Sequence, residues 1–387
     1  MSDSLALING IVVSCGCVYY NQVIVICDGV ICNVSDISAV DTQNMTVIDL
    51  KGHTVSSGLI DLQIYGSGGL LFGGKPEVCA LAQLERDLIT QGTTGFLAAI
   101  ATNTMDVVNA GIGSAKEYRN NTSRIGNFWG LHLEGPYLSP AKRGAHPAEL
   151  IQQATLNEAQ DLLDRSCDTI RMMTIAPERV DQDVQELFSA NGIVLSAGHT
   201  AASYSVGKSC LAESGPVTAV THLYNAMPPM LHREPSLGII PAIFEERPFT
   251  SIVVDGIHVD YVMVRLAKRE LGEKLFLITD AVTNTLEGVY PHILQDDEGG
   301  RRYVMPDGTL SGSALTLLTA VRNCVTHCNI SLPEAINMAS LYPAQVLGLQ
   351  ESKGKVEPGY DADLCVFDSN YQCVATFIKG KQVFSAL

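Results

Sequence analysis

Charged side chains are scarce in this sequence, and positively charged ones are the scarcest. Only 17% of the 387 residues are charged, and 25 Lys and Arg residues face 41 Asp and Glu residues, for a net charge of −16. An acidic surface repels nucleic acid and anionic lipid. We therefore expect neither nucleic acid nor a membrane as a partner, and an anionic substrate requires a local cluster of cations.

The amino terminus lacks the cations of a secretory signal, although no residue from 4 to 27 is charged. A signal peptide begins with a positively charged segment, whereas the only charged residue before this stretch is Asp3. Asn9-Gly10 and Asn21-Gln22 divide the stretch into short strands instead of one helix. The 11 cysteines are odd in number and have no framework spacing, which fits a reducing compartment. These features predict a cytoplasmic protein.

Eight apolar runs alternate with helical patterns in the central part of the chain. The strand candidates are 57–63, 96–102, 127–133, 169–175, 193–198, 217–222, 250–256 and 274–279. Such alternation indicates a parallel sheet covered by helices, and eight strands predict an α/β fold of the (β/α)8 TIM-barrel type over residues 55–349. Short alternating strands at both termini predict a small β-sandwich domain built jointly from residues 1–54 and 350–387.

Polar side chains stand at the ends of six predicted barrel strands. They are Gln63, Glu134, His199, His222, His258 and Asp280. The carboxyl ends of barrel strands converge on one face, where the catalytic groups of this fold lie. The sequence therefore predicts that these side chains meet there.

Three of these residues have the chemistry of a divalent-metal site. Glu134, His199 and His222 provide one carboxylate and two imidazoles, and two His and one Glu form a known catalytic zinc arrangement when one position is left for water. A cation held in this way activates water near neutral pH. We predict one divalent cation per subunit, with Zn²⁺ first and Fe²⁺, Co²⁺ or Mn²⁺ also compatible. His132 is not expected to be a ligand, on the argument that strand alternation directs it away from Glu134.

Several other charged residues could act together with this predicted metal site. Asp280, after the last predicted strand, can take a proton from water and pass it to a leaving nitrogen, although a helix cap or an ion pair is the alternative reading. Arg233 and the pair Lys142-Arg143 follow predicted strands, and guanidinium groups pair well with phosphate. Loop arginines are ordinarily just solvated, so these cations need further context.

Several ordered motifs provide that context. They are Phe128-Trp-Gly-Leu-His-Leu-Glu-Gly-Pro-Tyr137, Lys142-Arg-Gly-Ala-His-Pro147, Ser196-Ala-Gly-His-Thr200, Thr221-His-Leu-Tyr-Asn-Ala-Met227, Arg233-Glu-Pro235, Asp255-Gly-Ile-His-Val-Asp260, Leu277-Ile-Thr-Asp-Ala281 and Gly354-Lys-Val-Glu-Pro-Gly-Tyr-Asp-Ala-Asp-Leu364. Together they make the sequence resemble the N-acetylglucosamine-6-phosphate deacetylases of the amidohydrolase superfamily over essentially its whole length.

The resemblance implies an activity and a role for each matching residue. The activity is removal of the acetyl group from N-acetylglucosamine 6-phosphate in amino-sugar metabolism, by a homodimer. Glu134, His199 and His222 match metal ligands, and Asp280 matches the general base and acid. His146 matches a residue that contacts the substrate near its carbonyl, and the remaining matches bind the sugar phosphate or close over the sugar: Asn225, Ala226, Arg233, His258, Leu310, Ser311 and Gly312. Either Arg233 or His258 is expected to reach across the dimer interface.

One departure from the wider superfamily concerns the first strand. Two-metal members carry His-x-His there, whereas this chain has Gln63-Ile-Tyr65. Gln is a poor ligand for transition metals and Tyr coordinates only when deprotonated, so we predict that the second metal position is vestigial. Single-metal deacetylases of the family carry Gln at the first of these positions, and some relatives carry Asn in place of Tyr65.

Two alternatives remain on the sequence. The first is a deacetylase for N-acetylgalactosamine 6-phosphate, or another amidohydrolase that acts on a cyclic amide. The second is a non-catalytic barrel that serves as a binding module. The second alternative requires the loss of ligands, whereas all three ligands and Asp280 are present.

Overall fold

The computed structural model describes residues 4–285, 288–298 and 300–387. Asp3, on which the argument about a signal peptide rests, lies outside these ranges. In chain order, the strands are β1 (Leu5–Ser14), β2 (Cys17–Cys27), β3 (Val30–Asp36), β4 (Thr46–Asp49), β5 (Thr54–Ser57), β6 (Leu59–Ile64), β7 (Gly66–Ser67), β8 (Leu70–Leu71), β9 (Thr93–Ala101), β10 (Phe128–Glu134), β11 (Ile170–Ile175), β12 (Val194–Ala197), β13 (Val217–Val220), β14 (Phe249–Ile252), β15 (Leu275–Leu277), β16 (Ile293–Asp297), β17 (Gly300–Val304), β18 (Leu310–Ser313), β19 (Leu364–Phe367), β20 (Cys373–Ile378) and β21 (Lys381–Ser385).

The helices lie between the strands of the central region and after it. They are α1 (Val78–Ile89), α2 (Met105–Arg119), α3 (Leu156–Ser166), α4 (Gln182–Ala190), α5 (Tyr204–Leu211), α6 (Ile240–Glu246), α7 (Tyr261–Leu271), α8 (Leu317–Cys328), α9 (Leu332–Ala339) and α10 (Leu341–Val346). None of the helices in the described ranges combines the length and the hydrophobicity that a membrane span requires.

Eight parallel strands form the wall of a barrel. The strands β6, β9, β10, β11, β12, β13, β14 and β15 are neighbours in that order, and β6 and β15 are buried along their whole length. Strands of this kind are apolar on both faces because helices cover the outside while packed side chains fill the inside. The predicted (β/α)8 barrel is confirmed.

The barrel closes between its first and last strands through polar contacts. Ile64 forms a bridge with Ala281, and the Asp280 N–H donates to the Gln63 carbonyl at 3.0 Å. Beneath them, the Asp61 carboxyl accepts hydrogen bonds from the hydroxyl and the N–H of Thr279 at 2.5 and 3.2 Å. Burial raises the pKa of Asp61 to about 7. This seam places Gln63 and Asp280 side by side at the open end of the barrel.

Strands from the two ends of the chain combine in a second sheet, in the order β21-β20-β19-β5-β1-β2-β3, with β4 paired to β1. Its own core includes Leu7, Ile24, Leu364 and Phe377. Where this sheet meets the barrel, a side chain at Gly92 would place its Cβ 2.2 Å from the Cys365 sulfur, so the close approach requires glycine. We propose that this sheet is a separate domain, with boundaries near residues 54 and 350.

A three-stranded antiparallel sheet, β16-β17-β18, follows the last barrel strand. It packs against the end of β6 through an apolar cluster of Tyr65, Leu71, Val282, Tyr290 and Tyr303. This insertion therefore covers one side of the face on which the barrel strands end.

Candidate active site

A cavity of about 180 Å³ opens at the carboxyl ends of the barrel strands. Most residues singled out from the sequence line it: Tyr65, Glu134, His146, His199, His222, Asn225, Ala226, His258, Asp280, Leu310, Ser311 and Gly312. Gln63 lies beneath this surface and is 1% exposed, whereas Arg233 does not line the cavity and is exposed.

Three polar residues occupy turns in which the chain leaves a barrel strand. His199 and His222 stand two residues beyond β12 and β13, and Asp280 stands three beyond β15. All three have positive φ angles, of 45°, 34° and 54°. A side chain in this left-handed region costs about 1–3 kcal/mol, and such residues cluster at functional sites. The strained turns direct these side chains into the cavity.

Glu134, His199 and His222 form a compact group of potential metal ligands. The Nε2 atoms of the two histidines are 3.1 Å apart, and they lie 3.3 and 3.0 Å from Glu134 Oε1. One ligand atom from each residue lies within 4.8 Å of the others, and all three residues are buried. A buried carboxylate beside two converging imidazole nitrogens has the donor set and the spacing of a divalent-cation site.

The hydrogen bond made by the other ring nitrogen of His199 also supports a divalent-cation site. Its Nδ1 donates to the backbone carbonyl of Lys142 at 2.9 Å, which leaves the lone pair on Nε2 facing Glu134 and His222. Ligand histidines are held by such bonds from the other ring nitrogen. His222 Nε2 lies 3.1 Å from His199 Nε2 and 3.0 Å from Glu134 Oε1. A cation among these three atoms would take up the lone pairs that they present, so the residues present fit a cation.

Asp280 faces the same group from the closing seam of the barrel. Its Oδ1 accepts a hydrogen bond of 2.8 Å from Gln63 Nε2, the atom that also lies 3.1 Å from Glu134 Oε1. Burial raises the pKa of Asp280 to about 6, and the nearby charge of Glu134 acts in the same direction. A carboxylate with a raised pKa can exchange a proton with substrate near neutral pH.

His146 borders the other side of the Glu134 carboxylate. Its Nε2 lies 3.2 Å from Glu134 Oε2, and its Nδ1 lies 2.9 Å from the Thr102 hydroxyl. Burial lowers the pKa of His146 to about 4, so the ring is neutral at pH 7. Because a carboxylate only accepts, we assign the proton to Nε2 and the acceptor role to Nδ1. The resulting N–H borders the cavity.

His258 provides a positive charge in the cavity wall. Its Nδ1 lies 2.6 Å from Asp255 Oδ2, and its Nε2 lies 2.6 Å from the Ser311 carbonyl. Both partners are acceptors, so both ring nitrogens carry a proton. Burial opposes this charge, but the hydrogen bond and the charge of Asp255 outweigh it and raise the pKa of His258 above its ordinary value.

We expect Asp255→Asn to lower the pKa of His258, because Asn keeps an acceptor for the backbone N–H groups of Ile257 and His258 but removes the negative charge. NMR titration of the imidazole measures this shift. The Asp260→Asn variant is the control, since Asp260 is an exposed helix cap. An unchanged titration of His258 in Asp255→Asn would contradict the assignment of its charge to Asp255.

The same pair makes a contribution to stability that depends on pH. The pKa of His258 is raised on folding, so its contribution is complete below the unfolded value of about 6.5 and is lost as pH rises through the folded value. The pKa of Asp255 is lowered by His258 against the effect of burial, so its contribution is lost as pH falls from about 3.9 through the folded value. The difference in Tm between the wild type and Asp255→Asn should be largest between about pH 3.9 and pH 6.5, the unfolded pKa values of Asp and His. It should shrink at higher pH, where His258 loses its proton in the folded state.

The structure separates Arg233 from the other sequence-predicted residues. Arg233 lies in an exposed loop together with Met230, Leu231 and Leu237, whose exposures are 51%, 41% and 56%. Lys142 and Arg143 also remain outside the cavity lining, and Arg143 donates to the carbonyl of His146 at 2.9 Å. Within one chain, His258 therefore brings a positive charge to the cavity wall beside the β16–β18 insertion.

Two polar residues of the cavity lining, Tyr290 and His292, were not identified from the sequence. Tyr290 donates a hydrogen bond of 2.7 Å to the Thr102 carbonyl, and His292 Nδ1 lies 2.9 Å from the Ser311 hydroxyl. Burial lowers the pKa of His292 to about 4. Both precede β16 in a segment without a barrel-strand pattern, so no local signal marked them as part of the site.

His132 is absent from the group of potential ligands, but strand alternation is the wrong reason for its absence. Residues two apart in a strand point to the same side, so alternation does not separate His132 from Glu134. Position along the strand does: the His132 ring lies deeper in the barrel, with Nδ1 2.9 Å from the Leu62 carbonyl and Nε2 2.7 Å from the Thr174 hydroxyl.

Comparison with known proteins connects this geometry to a family. The sequence profile of the amidohydrolase family matches residues 54–383. An N-acetylglucosamine-6-phosphate deacetylase from Haemophilus influenzae is 34% identical over 378 residues, which cover 94% of this chain and 97% of that relative. An N-acetylgalactosamine-6-phosphate deacetylase from Shewanella sp. (strain ANA-3) is 32% identical over 367 residues, which cover 93% of this chain and 91% of that relative.

A solved structure agrees with the sequence matches. The crystal structure of the N-acetylglucosamine-6-phosphate deacetylase from Pasteurella multocida has a TM-score of 0.88 and 30% sequence identity, over 99% of this chain and 100% of that one. The resemblance drawn from the motifs is thus confirmed along almost the whole chain. The chain belongs to the amidohydrolase family and is a hydrolytic enzyme.

Proposed function

We propose that the chain hydrolyses the acetamide of N-acetylglucosamine 6-phosphate, which yields glucosamine 6-phosphate and acetate. The observation that carries this proposal is the convergence of Glu134, His199 and His222 on one point, with Asp280 facing it across the cavity. The relatives from Haemophilus influenzae and Pasteurella multocida are named for this reaction, and they match nearly the full chain. The reaction belongs to amino-sugar breakdown or recycling.

The residues of the chain divide the chemistry between them. A divalent cation held by Glu134, His199 and His222 supplies a Lewis acid that polarises the amide and activates water near neutral pH. Asp280 accepts the proton of the attacking water and then donates it to the nitrogen of the amino sugar as acetate leaves. His146 lines the cavity beside Glu134, where its ring would contact the substrate near the carbonyl oxygen on which negative charge develops. Leu310, Ser311 and Gly312, from the β16–β18 insertion, border the sugar.

The proposal is tested by acetate release from a panel of substrates. The panel contains N-acetylglucosamine 6-phosphate, its galacto epimer, unphosphorylated N-acetylglucosamine and a cyclic amide such as hydantoin, each at the same concentration. We expect the highest kcat/KM for the first compound. A higher value for the galacto epimer would favour the second candidate, which the Shewanella relative supports, and a reaction confined to the cyclic amide would contradict both.

We further propose that the resident cation is Zn²⁺ and that the enzyme is a cytoplasmic homodimer. Two imidazoles and one carboxylate suit Zn²⁺, although the same donors accept Fe²⁺, Co²⁺ or Mn²⁺. The loop that contains Met230, Leu231, Arg233 and Leu237 presents apolar side chains and a cation to solvent. An interface at this loop would bury the apolar side chains and bring Arg233 to the cavity of a second chain. Sedimentation of the wild type and of Leu237→Asp tests the dimer, since a charge at the interface should shift the wild-type dimer to monomer.

Phosphate recognition should depend on Arg233. Charge-assisted hydrogen bonds contribute about 1.5–3 kcal/mol each, so the loss of phosphate should lower kcat/KM about tenfold or more. Arg233→Ala should show this loss toward the phosphorylated sugar and little change toward plain N-acetylglucosamine. Wild type and variant on both substrates form a cycle, and the coupling between arginine and phosphate is the diagnostic quantity.

The control for this cycle is Arg269→Ala, which removes an arginine that is 80% exposed and lies on α7. It should leave both substrates unaffected. Equal losses on the two substrates in Arg233→Ala would assign Arg233 a structural role and leave His258, Lys142 and Arg143 as the cations for phosphate.

A further inference from the structure

Tyr65 makes the shortest side-chain contact with the proposed metal ligand Glu134. Its hydroxyl donates to Glu134 Oε2 at 2.5 Å and accepts from Gln63 Nε2 at 2.7 Å. Gln63 Nε2 also lies 3.1 Å from Glu134 Oε1 and 2.8 Å from Asp280 Oδ1. Tyr65 and Gln63 thus place uncharged hydrogen-bond donors next to the carboxylates of Glu134 and Asp280.

The two oxygens of Glu134 have separate sets of partners. Oε1 faces the Nε2 atoms of His222 and His199 at 3.0 and 3.3 Å and Gln63 Nε2 at 3.1 Å. Oε2 faces the Tyr65 hydroxyl at 2.5 Å and His146 Nε2 at 3.2 Å. A carboxylate oxygen offers two lone-pair directions. The two donors occupy both directions of Oε2, whereas Oε1 has one direction for Gln63 Nε2 and one that would remain for a cation.

The surroundings of Tyr65 hold its hydroxyl in place. Its backbone N–H donates to the Ala281 carbonyl at 2.9 Å, and its carbonyl accepts from the Phe72 N–H at 2.8 Å. Its ring, which is 6% exposed, belongs to the apolar cluster with Val282 and Tyr290. The donor to Glu134 is therefore fixed by the backbone and by packing.

We propose that Tyr65 is a positioning residue: its hydroxyl holds Glu134 Oε2, so that Glu134 offers a single oxygen to a cation. Together with Gln63, it gives the Glu134 and Asp280 carboxylates hydrogen bonds in place of a second cation. The proposal rests on the metal site of the proposed function. In a two-cation site, charge on the ions offsets the repulsion between neighbouring carboxylates. Here the Tyr65 hydroxyl and the Gln63 amide offset it with hydrogen bonds, and neither group is a good ligand for a transition metal in its neutral form.

Tyr65→Phe tests the proposal because it keeps the ring and removes only the hydroxyl. Loss of a partner that orients a ligand typically lowers metal affinity about 10–100-fold, and we expect a loss in this range for Zn²⁺, measured by competition with a chromophoric chelator on the metal-free enzyme. The visible spectrum of the cobalt-loaded variant should also weaken, because Oε2 becomes free to bind and the coordination number rises.

Tyr118→Phe is the matched control. The Tyr118 hydroxyl donates to Glu85 Oε2, also at 2.5 Å and also buried, but neither residue lines the cavity. Both variants should unfold at a lower temperature than the wild type, whereas only Tyr65→Phe should change zinc affinity and the cobalt spectrum. Equal zinc affinity in Tyr65→Phe and Tyr118→Phe would overturn the proposal.

The double variant Gln63→His/Tyr65→His tests the exclusion of a second ion. We expect one zinc per chain in the wild type and two in the double variant, by elemental analysis after dialysis. One zinc in both would overturn the claim that these side chains keep the second ion out. If Tyr65→Phe binds zinc as tightly as the wild type, and the wild type releases acetate normally, only the role of Tyr65 is refuted. If Tyr65→Phe binds zinc more weakly, but the wild type releases no acetate from any substrate, only the proposed function is refuted.

Discussion

Asp280→Asn should lower kcat for acetate release by about 10²–10⁴-fold, the usual contribution of a general acid–base group. The amide cannot accept the proton of the attacking water. Asn tolerates the positive φ of 54° at this position nearly as well as Asp, and its carbonyl can still accept the hydrogen bond from Gln63. The fold and the bound cation should therefore survive.

The control for this variant is Asp363→Asn, which changes a buried carboxylate of the terminal sheet that accepts a hydrogen bond from the Lys379 backbone N–H at 2.7 Å. It should lower the unfolding temperature without a large change in kcat. Cation content is measured in both variants, because loss of the cation from Asp280→Asn would confound the interpretation. A variant that retains its cation and most of its turnover would show that Asp280 is not the group that transfers the proton.

His222→Ala should remove both the cation and the activity. It leaves two of the three donors, Glu134 and His199, and a transition-metal site with two protein ligands is weak. The charge of the cation is worth several kcal/mol in the transition state, and each 1.36 kcal/mol is a factor of ten in rate, so turnover should fall by about 10³-fold or more. Elemental analysis and acetate release, measured on the same preparation, test this prediction.

His132→Gln is the matched control for the loss of a buried imidazole. Both nitrogens of His132 are hydrogen-bonded within the barrel, so this variant should be less stable but keep one cation per chain. Two equivalents of metal in the wild type, both removed by a chelator together with activity, would contradict the single-cation site. Full cation content in His222→Ala would remove His222 from the ligand set.

The fold and the chemistry of the site could be predicted because they depend on local patterns. Alternating apolar runs and helical segments predict a barrel, since a strand buried on both faces must be apolar throughout. The polar residues at strand ends then follow from barrel geometry: the carboxyl ends meet at one face wherever the strands are parallel and adjacent. This is why Glu134, His222 and Asp280 line one cavity although up to 146 positions separate them in the sequence.

Other features of the site depend on contacts that no local pattern encodes. The Ser311 carbonyl completes the hydrogen bonds of His258 from 53 residues away, and Tyr290 and His292 enter the cavity from a segment outside the barrel pattern. Arg233 resembles a phosphate ligand in its motif, yet in one chain it lies in an exposed loop. Its distance from the cavity is a property of the tertiary structure, because a motif specifies residue types and not where a loop lies.

The amino-acid sequence alone thus determined the barrel, the three potential ligands and the carboxylate that faces them, because period and strand-end position are properties of a single chain segment. The tertiary structure decided which oxygen of Glu134 faces which partner. Tyr65 was recognised from the sequence as a departure at the second metal position, but only the closure of β6 against the last strand shows its hydroxyl 2.5 Å from Glu134 Oε2. Hydrogen bonds of this kind depend on distances of a few tenths of an ångström between residues remote in sequence, and those distances are set by packing.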